Sequence, residues 1–217
     1  MIKEIIRKSL QINEAVVNNI KSFKLKTEFL SQGNKDNHVK LYEAYVKSSN
    51  EVSAKLDSVD RSEVNGNHAE YRSLKLDEAF NQNGVVLHEL YFENISDLAS
   101  EIAMDNLAYI KLANDFGSFD AWQKDFLACC QASRCGWAVT GLNIFTGKYQ
   151  NVMIDLHSQN VPVGIIPIIV MDVWQHAYYR DYLKEVKTYA SAMMKELNWP
   201  IVEKRVELCE QIKSLLR

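Results

Sequence analysis

Residues 136–171 read GWAVTGLNIFTGKYQNVMIDLHSQNVPVGIIPIIVM, and this stretch decides the fold class. Its apolar residues follow a strand-like rather than a helical period. Gly136–Phe145, Tyr149–Leu156 and Ile165–Met171 read as three strands, the first two joined by a turn at Thr146-Gly147. Upstream the period is helical. A helix is expected from about His38 to Leu56, its face carrying His38, Tyr42, Tyr45 and Val52. A second is expected from Ser73 to Asp97, interrupted at Asn83-Gly84, with the polar stretch Ser58–His68 between them. A further helix runs to about Asn114, then comes a loop at Phe116-Gly117-Ser118-Phe119 and a helix from Phe119 to Ser133. Two more, Trp174–Leu197 and Val202–Leu215, close the chain. Residues 21–37 read as an extended lead-in, and residues 1–20 as a partial helical face. The class is therefore α+β: an N-terminal helical hairpin followed by a three-stranded antiparallel sheet flanked by helices. The expected division is a helical extension at 1–20, a hairpin domain at 21–114 and an α/β domain at 115–217.

The chain has 217 residues, 47% hydrophobic and 24% charged, which is ordinary for a globular protein and argues against disorder. Lys+Arg 25 against Asp+Glu 28 gives a net charge of −3, too balanced for a nucleic-acid binder. The longest apolar run, Val161–Val173, is short and holds Gly164 and Pro167, so no membrane span is expected. Lys3, Glu4, Arg7 and Lys8 break up the first apolar residues, which therefore do not read as a secretory signal. Cys129, Cys130, Cys135 and Cys209 form neither a CxxC pair nor a disulfide framework. They read as reduced small residues, which favours the cytoplasm.

Chemistry concentrates in Met171-Asp-Val-Trp-Gln-His-Ala-Tyr-Tyr-Arg-Asp-Tyr182. Asp172 ends an apolar strand and His176 follows one helical turn later. A carboxylate and an imidazole so placed can point at one ion, and that pair suits iron, manganese or zinc better than calcium or magnesium. The spacing alone fits equally a helix cap by Asp172 with His176 merely packed.

The pattern Asp-x-Trp-x-His-Ala-Tyr-Tyr-x-x-Tyr resembles the C-terminal signature of the iron/manganese superoxide dismutase family. Phe116-Gly-Ser-Phe119, Gly136-Trp137 and Asn198-Trp199 follow in family order. Asn83-Gly-Val-Val-Leu-His88-Glu-Leu-Tyr-Phe is similar to the family's second ligand helix, and Leu30-Ser31, His38 and Tyr45-Val46 to its first. The likeness spans roughly residues 22–210, leaving 1–20 as an extension.

What the resemblance implies is one iron or manganese ion per subunit, held by His38, His88, Asp172 and His176, with superoxide as the small-molecule substrate. Three neutral imidazoles and one carboxylate leave a position for water or hydroxide, so the site can take up an electron and a proton together with little change in buried charge. The resemblance also implies that His157 hydrogen-bonds the bound solvent, in a space kept open by Gly84. It makes Tyr45 the gateway tyrosine, and Trp137 and Trp174 aromatic walls.

Four departures stand out. Counted from Leu30-Ser31, His38 falls at the first ligand; counted back from Tyr45-Val46, Asn37 does. A one-residue deletion within the helix reconciles the two, and His38 is the chemically sensible ligand. Gln175 replaces the family glutamate that reaches a partner's ligand histidine, and Tyr42 replaces a gateway histidine. The basic residue that often follows is out of register, with Val186 in its place and Lys187 next. The resemblance implies a homodimer or a dimer of dimers, with Gln175, Tyr42 and Tyr179 near the interface. Two other readings keep the fold: a non-catalytic structural or interaction protein, marked by lost ligands, and another redox reaction at the same metal site.

Overall fold

The computed structural model describes residues 16–96 and 101–215. Helix α1 (Gln32–Ser58) begins six residues ahead of the expected His38, because Ser31 caps it: its hydroxyl accepts from the Asn34 amide at 3.3 Å. Gly33-Asn34, expected in an extended lead-in, therefore lies in the first helical turn. Helix α2 (Glu70–Asn94) runs through Asn83-Gly84 without a break. A mid-helix glycine costs roughly 1 kcal/mol in propensity. Here it lets the helices approach, since a Cβ on Gly84 would sit 2.9 Å from the Tyr45 ring. The sequence period alone could not show that neighbour.

The helix expected up to Asn114 is α3 (Leu107–Phe116), which starts later than anticipated. Residues 97–100 of that expectation lie outside the described residues. The Leu107 and Ala108 amides donate to the Glu203 carboxylate at 2.7 and 2.8 Å, closing the helix start from a distant part of the chain. Gly117 then adopts φ 86°, which glycine reaches without steric cost, and Ser118 caps α4 (Phe119–Ala132).

Strands β1 (Gly136–Asn143), β2 (Lys148–Asp155) and β3 (Ile165–Asp172) form an antiparallel sheet in the order β2-β1-β3. The central β1 is almost wholly buried, which explains its near-continuous apolar run. Trp122 on α4 lies fully buried against the sheet, and its indole N–H donates to the Thr140 hydroxyl at 2.9 Å. Helices α3 and α4 cover one part of the sheet, while α2 packs on β3.

The expected helix over 174–197 is broken into α5 (Gln175–Tyr182) and α6 (Val186–Met193), followed by a short 3-10 turn, Met194–Glu196. The break falls at Leu183, whose φ of 50° lies in the left-handed region that leucine ordinarily avoids. Helix α7 (Trp199–Leu215) starts three residues before the expected Val202. From it, Arg205 donates to the Ile168 carbonyl at 2.9 Å, the Leu90 carbonyl at 3.2 Å and the Glu93 carboxylate at 2.7 Å, tying α7, β3 and α2 together.

Of the helical face expected at 1–20, residues 1–15 lie outside the described residues, and residues 16–20 carry no helix. The segment runs along α1 instead. The Val16 amide donates to the Ser53 hydroxyl at 2.6 Å, and the Asn18 amide to the Asn50 side chain at 2.7 Å. Among the described residues, no helix is long and apolar enough to cross a membrane.

Candidate metal centre

Four elements bring their ligand-type atoms to one buried point. His38 comes from α1, His88 from α2, Asp172 from the last residue of β3, and His176 from the first turn of α5. Their donor atoms all lie within 4.8 Å of one another. Asp172 Oδ2 is the hub, 3.0 Å from His38 Nε2, 3.2 Å from His176 Nε2 and 3.7 Å from His88 Nε2. His38, His88 and Asp172 are buried, and the His176 side chain keeps 27% of its surface.

The first helix settles its register geometrically. Asn37 points outward and is exposed, whereas His38 is buried in the cluster. The helix is α throughout, and His38 and Tyr45, seven residues apart, are separated by nearly two full turns. That spacing puts both on one face, so the shortened interval needs no bulge.

Two of the four side chains are oriented from outside the cluster. His88 Nδ1 lies 2.6 Å from the Gly84 carbonyl and donates to it, which leaves Nε2 as the lone-pair nitrogen facing the cluster. That Nε2 is buried and has no hydrogen-bond partner among the described residues. A buried acceptor left unmatched is costly, and a cation would satisfy it. Asp172 Oδ1 accepts from the Trp174 amide at 2.8 Å. The Asp172 main-chain carbonyl accepts from the Tyr189 hydroxyl at 2.9 Å, and that hydroxyl in turn meets Tyr91 at 2.9 Å.

Electrostatics act on three of the four, His38, His88 and Asp172. Burial, and then neighbouring His38, push the His88 imidazole down to about 3; burial also lowers His38. Burial alone would raise the Asp172 carboxyl, but the His176 and His38 imidazoles outweigh it and hold the group below the usual carboxylate range. A neutral imidazole at His38 and His88 and an ionised carboxylate at Asp172 are states that can bind metal.

The four residues expected around the ligands stand there too. His157, fully buried, accepts from the Trp137 indole N–H on Nδ1 at 3.0 Å, and its Nε2 lies 2.7 Å from the Tyr45 hydroxyl. The Trp174 ring stacks near His176, with centroids 5.8 Å apart, and lies 5.1 Å from His157. Of the three residues expected near an interface, Gln175 and Tyr179 are exposed. Tyr42 is buried inside the protomer, donating to Glu89 at 2.9 Å and accepting from the Lys21 amide at 3.1 Å.

Several supporting residues carried no sequence signal. Asn83 donates to the His157 carbonyl at 2.8 Å, although Asn83-Gly84 had read as a helix interruption. Phe80 packs edge-on to His157 at 4.6 Å, and the hydroxyls of Tyr91 and Tyr189 meet behind Asp172. Their roles exist only once α2, β3 and α6 meet.

The profile of the iron/manganese superoxide dismutases, C-terminal domain, matches residues 105–205. The chain is 40% identical to a protein of Aquifex pyrophilus named superoxide dismutase [Fe], over 76% of this chain and 78% of that one. A relative of the same name from Aquifex aeolicus is also 40% identical over the same shares. A protein of Mycolicibacterium fortuitum named superoxide dismutase [Mn] is 32% identical over 83% of this chain and 86% of its own. With a helical hairpin, a three-stranded antiparallel sheet and a buried His-His-Asp-His cluster already in place, these likenesses show that the chain belongs to the iron/manganese superoxide dismutase family.

Proposed function

We propose that this chain disproportionates superoxide to dioxygen and hydrogen peroxide at a mononuclear iron or manganese centre held by His38, His88, Asp172 and His176. The observation that carries the reading is the convergence of three imidazole nitrogens and one carboxylate oxygen within 4.8 Å, with His88 Nε2 otherwise unmatched. This donor set suits a first-row transition metal. When bound, the ion supplies a one-electron couple that oxidises one superoxide and reduces the next. The loss of ligands that would mark a non-catalytic relative is not seen in this cluster.

The chain's own residues do the rest. Asp172 contributes the single negative charge, held in place by the Trp174 amide and the Tyr189 hydroxyl. Trp137 and Trp174 wall the cluster with aromatic surface, their rings 4.9 Å from His88 and 5.8 Å from His176. Tyr45 keeps its phenolic proton, because burial and the Asp172 charge push it up to about 12. Burial pushes His157 down to about 4, so it is neutral at physiological pH. The site thus holds its protons on neutral groups beside a cation, which suits delivery to a reduced oxygen anion.

Gln175 and Tyr179, one turn apart, are exposed on α5 beside the partly exposed His176, which supports a homodimer, or a dimer of dimers, built over that helix. Tyr42 would act within the protomer. The four thiols are all free, in keeping with a cytoplasmic setting. Metal analysis of the purified chain, paired with a superoxide-consumption assay, tests the reading. Iron or manganese near one ion per chain with activity supports it; a metal-replete chain that leaves superoxide untouched rejects it.

A further inference from the structure

We propose that Tyr42 is a redox-active residue, which quenches a one-electron oxidant formed at the cluster and ends as a buried, neutral phenoxyl radical. The oxidant is the hydroxyl radical that ferrous iron makes from hydrogen peroxide, so the proposal rests on the superoxide reading with iron as the ion. Ferrous iron and peroxide give ferric iron, hydroxide and a hydroxyl radical. That radical takes one electron from the phenol and becomes a second hydroxide, while the phenol proton crosses to the Glu89 carboxylate.

A phenol gives up an electron readily only when its proton can leave as well, so the partner of each hydroxyl decides which tyrosine serves. Tyr42 donates to Glu89 Oε1 at 2.9 Å, and Lys21 Nζ holds the other carboxylate oxygen at 2.5 Å. The Lys21 amide donates to the same hydroxyl at 3.1 Å, which leaves the phenol hydrogen for Glu89. The other oxidisable rings near the cluster lack an anionic acceptor. Tyr45 and Trp137 both meet the His157 imidazole, whose protonation would add a positive charge beside a metal ion. Tyr189 donates to the Asp172 main-chain carbonyl, and Tyr91 meets Tyr189. The Trp174 indole nitrogen is buried without a hydrogen-bond partner among the described residues.

A short path joins Tyr42 to the ligands. The two stand one helical turn apart on α1 where His38 is concerned, and Phe92 bridges them, its ring 5.0 Å from His38 and 5.9 Å from Tyr42. Phe23 closes the far side of the Tyr42 ring at 5.7 Å, and the residue is fully buried, so the radical is shielded from solvent. A hole held there is kept off the ligand imidazoles. Tyr149 supplies a control within the same chain. Its hydroxyl also donates to a carboxylate, Glu210 at 3.1 Å, which Lys111 pairs at 2.5 Å. It lies opposite Leu142, at the far end of β1 from Trp137.

The test is electron paramagnetic resonance of the iron-loaded full chain, reduced without air and freeze-quenched after hydrogen peroxide is added. Ring-deuterated tyrosine identifies the radical by narrowing its signal. The parent, Tyr45→Phe and Tyr149→Phe should all give a tyrosyl signal, and Tyr42→Phe should lose it. Glu89→Gln keeps an oxygen that can accept the hydrogen bond but not the proton, so most of the signal should disappear while iron is retained. A tyrosyl signal that persists in Tyr42→Phe, one undiminished in Glu89→Gln, or a tryptophanyl signal in the parent would each overturn the proposal. Should Glu89→Gln fail to fold, the parent and Tyr42→Phe decide alone. A parent that forms the Tyr42 radical but consumes no superoxide would end the functional reading and leave the radical site standing. Superoxide consumption without a tyrosyl signal would do the reverse.

Discussion

The four proposed ligands come from two regions that specify them in different ways. Asp172 and His176 lie four residues apart, where β3 ends and α5 begins. Their relative placement is local: the strand delivers the carboxylate, the Trp174 amide pins it, and the first turn of the helix swings the imidazole back to it. His38 and His88 stand on separate helices, and meet only because α1 and α2 pack with Gly84 against the Tyr45 ring. Both regions reach the same oxygen, Asp172 Oδ2, at 3.0–3.7 Å. The comparison teaches that one half of the centre is a motif and the other half is a packing result. Changes to the first should act on metal directly, and changes to the second should act through helix contact.

The largest effect should come from breaking the local half. Asp172→Ala removes the shared oxygen and the set's only negative charge, so metal retention in the purified protein should be lost, and activity with it. Elemental analysis checks this, and metal content equal to that of the parent would contradict the proposed ligands.

Next in size is His157→Ala. It leaves all four ligands in place but removes the link between Trp137 and Tyr45. Metal should be retained while most activity disappears, since a group that supports the ligands from behind affects turnover more than occupancy. Measuring turnover per bound ion separates the two effects. Unchanged turnover would take His157 out of the mechanism.

Gly84→Ala probes the packed half. Alanine should gain roughly 1 kcal/mol of helix propensity. Its Cβ would press the Tyr45 ring at 2.9 Å, and overpacking typically costs about 1–3 kcal/mol. The net loss of stability in denaturant unfolding should therefore be small, about 0–2 kcal/mol, while displacement of Tyr45 lowers turnover. A more stable variant with full activity would mean the ring has room to move.

The smallest effect is expected at the outer face of α5. If Gln175 reaches a partner's ligand histidine, Gln175→Glu should tighten the dimer modestly. A charge-assisted bond is stronger than a neutral one, but two buried carboxylates offset part of the gain. Sedimentation of both proteins measures the dissociation constant, and an unchanged value would mean residue 175 does not face the partner.

The same contrast explains what could be read from the chain. The three strands and the Asp172–His176 motif were legible within a residue or two at their ends, because strand period, turn residues and a short spacing are local properties. The start of α1 was misplaced because Gly33-Asn34 looked like a loop until Ser31 was seen to cap the helix. The break expected at Asn83-Gly84 did not occur, since the glycine answers to a ring on another helix. The split at Leu183 was missed for the opposite reason: leucine carries no turn signal, yet here an exposed leucine ends the helix at φ 50°. Tyr189, Tyr91 and Asn83 acquire their roles only through contacts far apart in the chain, which no spacing rule reports.

The most direct test of the whole account is metal content measured beside superoxide consumption, on the parent and on a chain carrying His38→Ala, His88→Ala, Asp172→Ala and His176→Ala together. The parent should hold iron or manganese, lose activity when the ion is chelated, and regain it on reloading. The fourfold variant should hold no ion and consume no superoxide. A parent that stays active without metal, or a fourfold variant that keeps its ion, would contradict the assignment of this cluster as the catalytic centre.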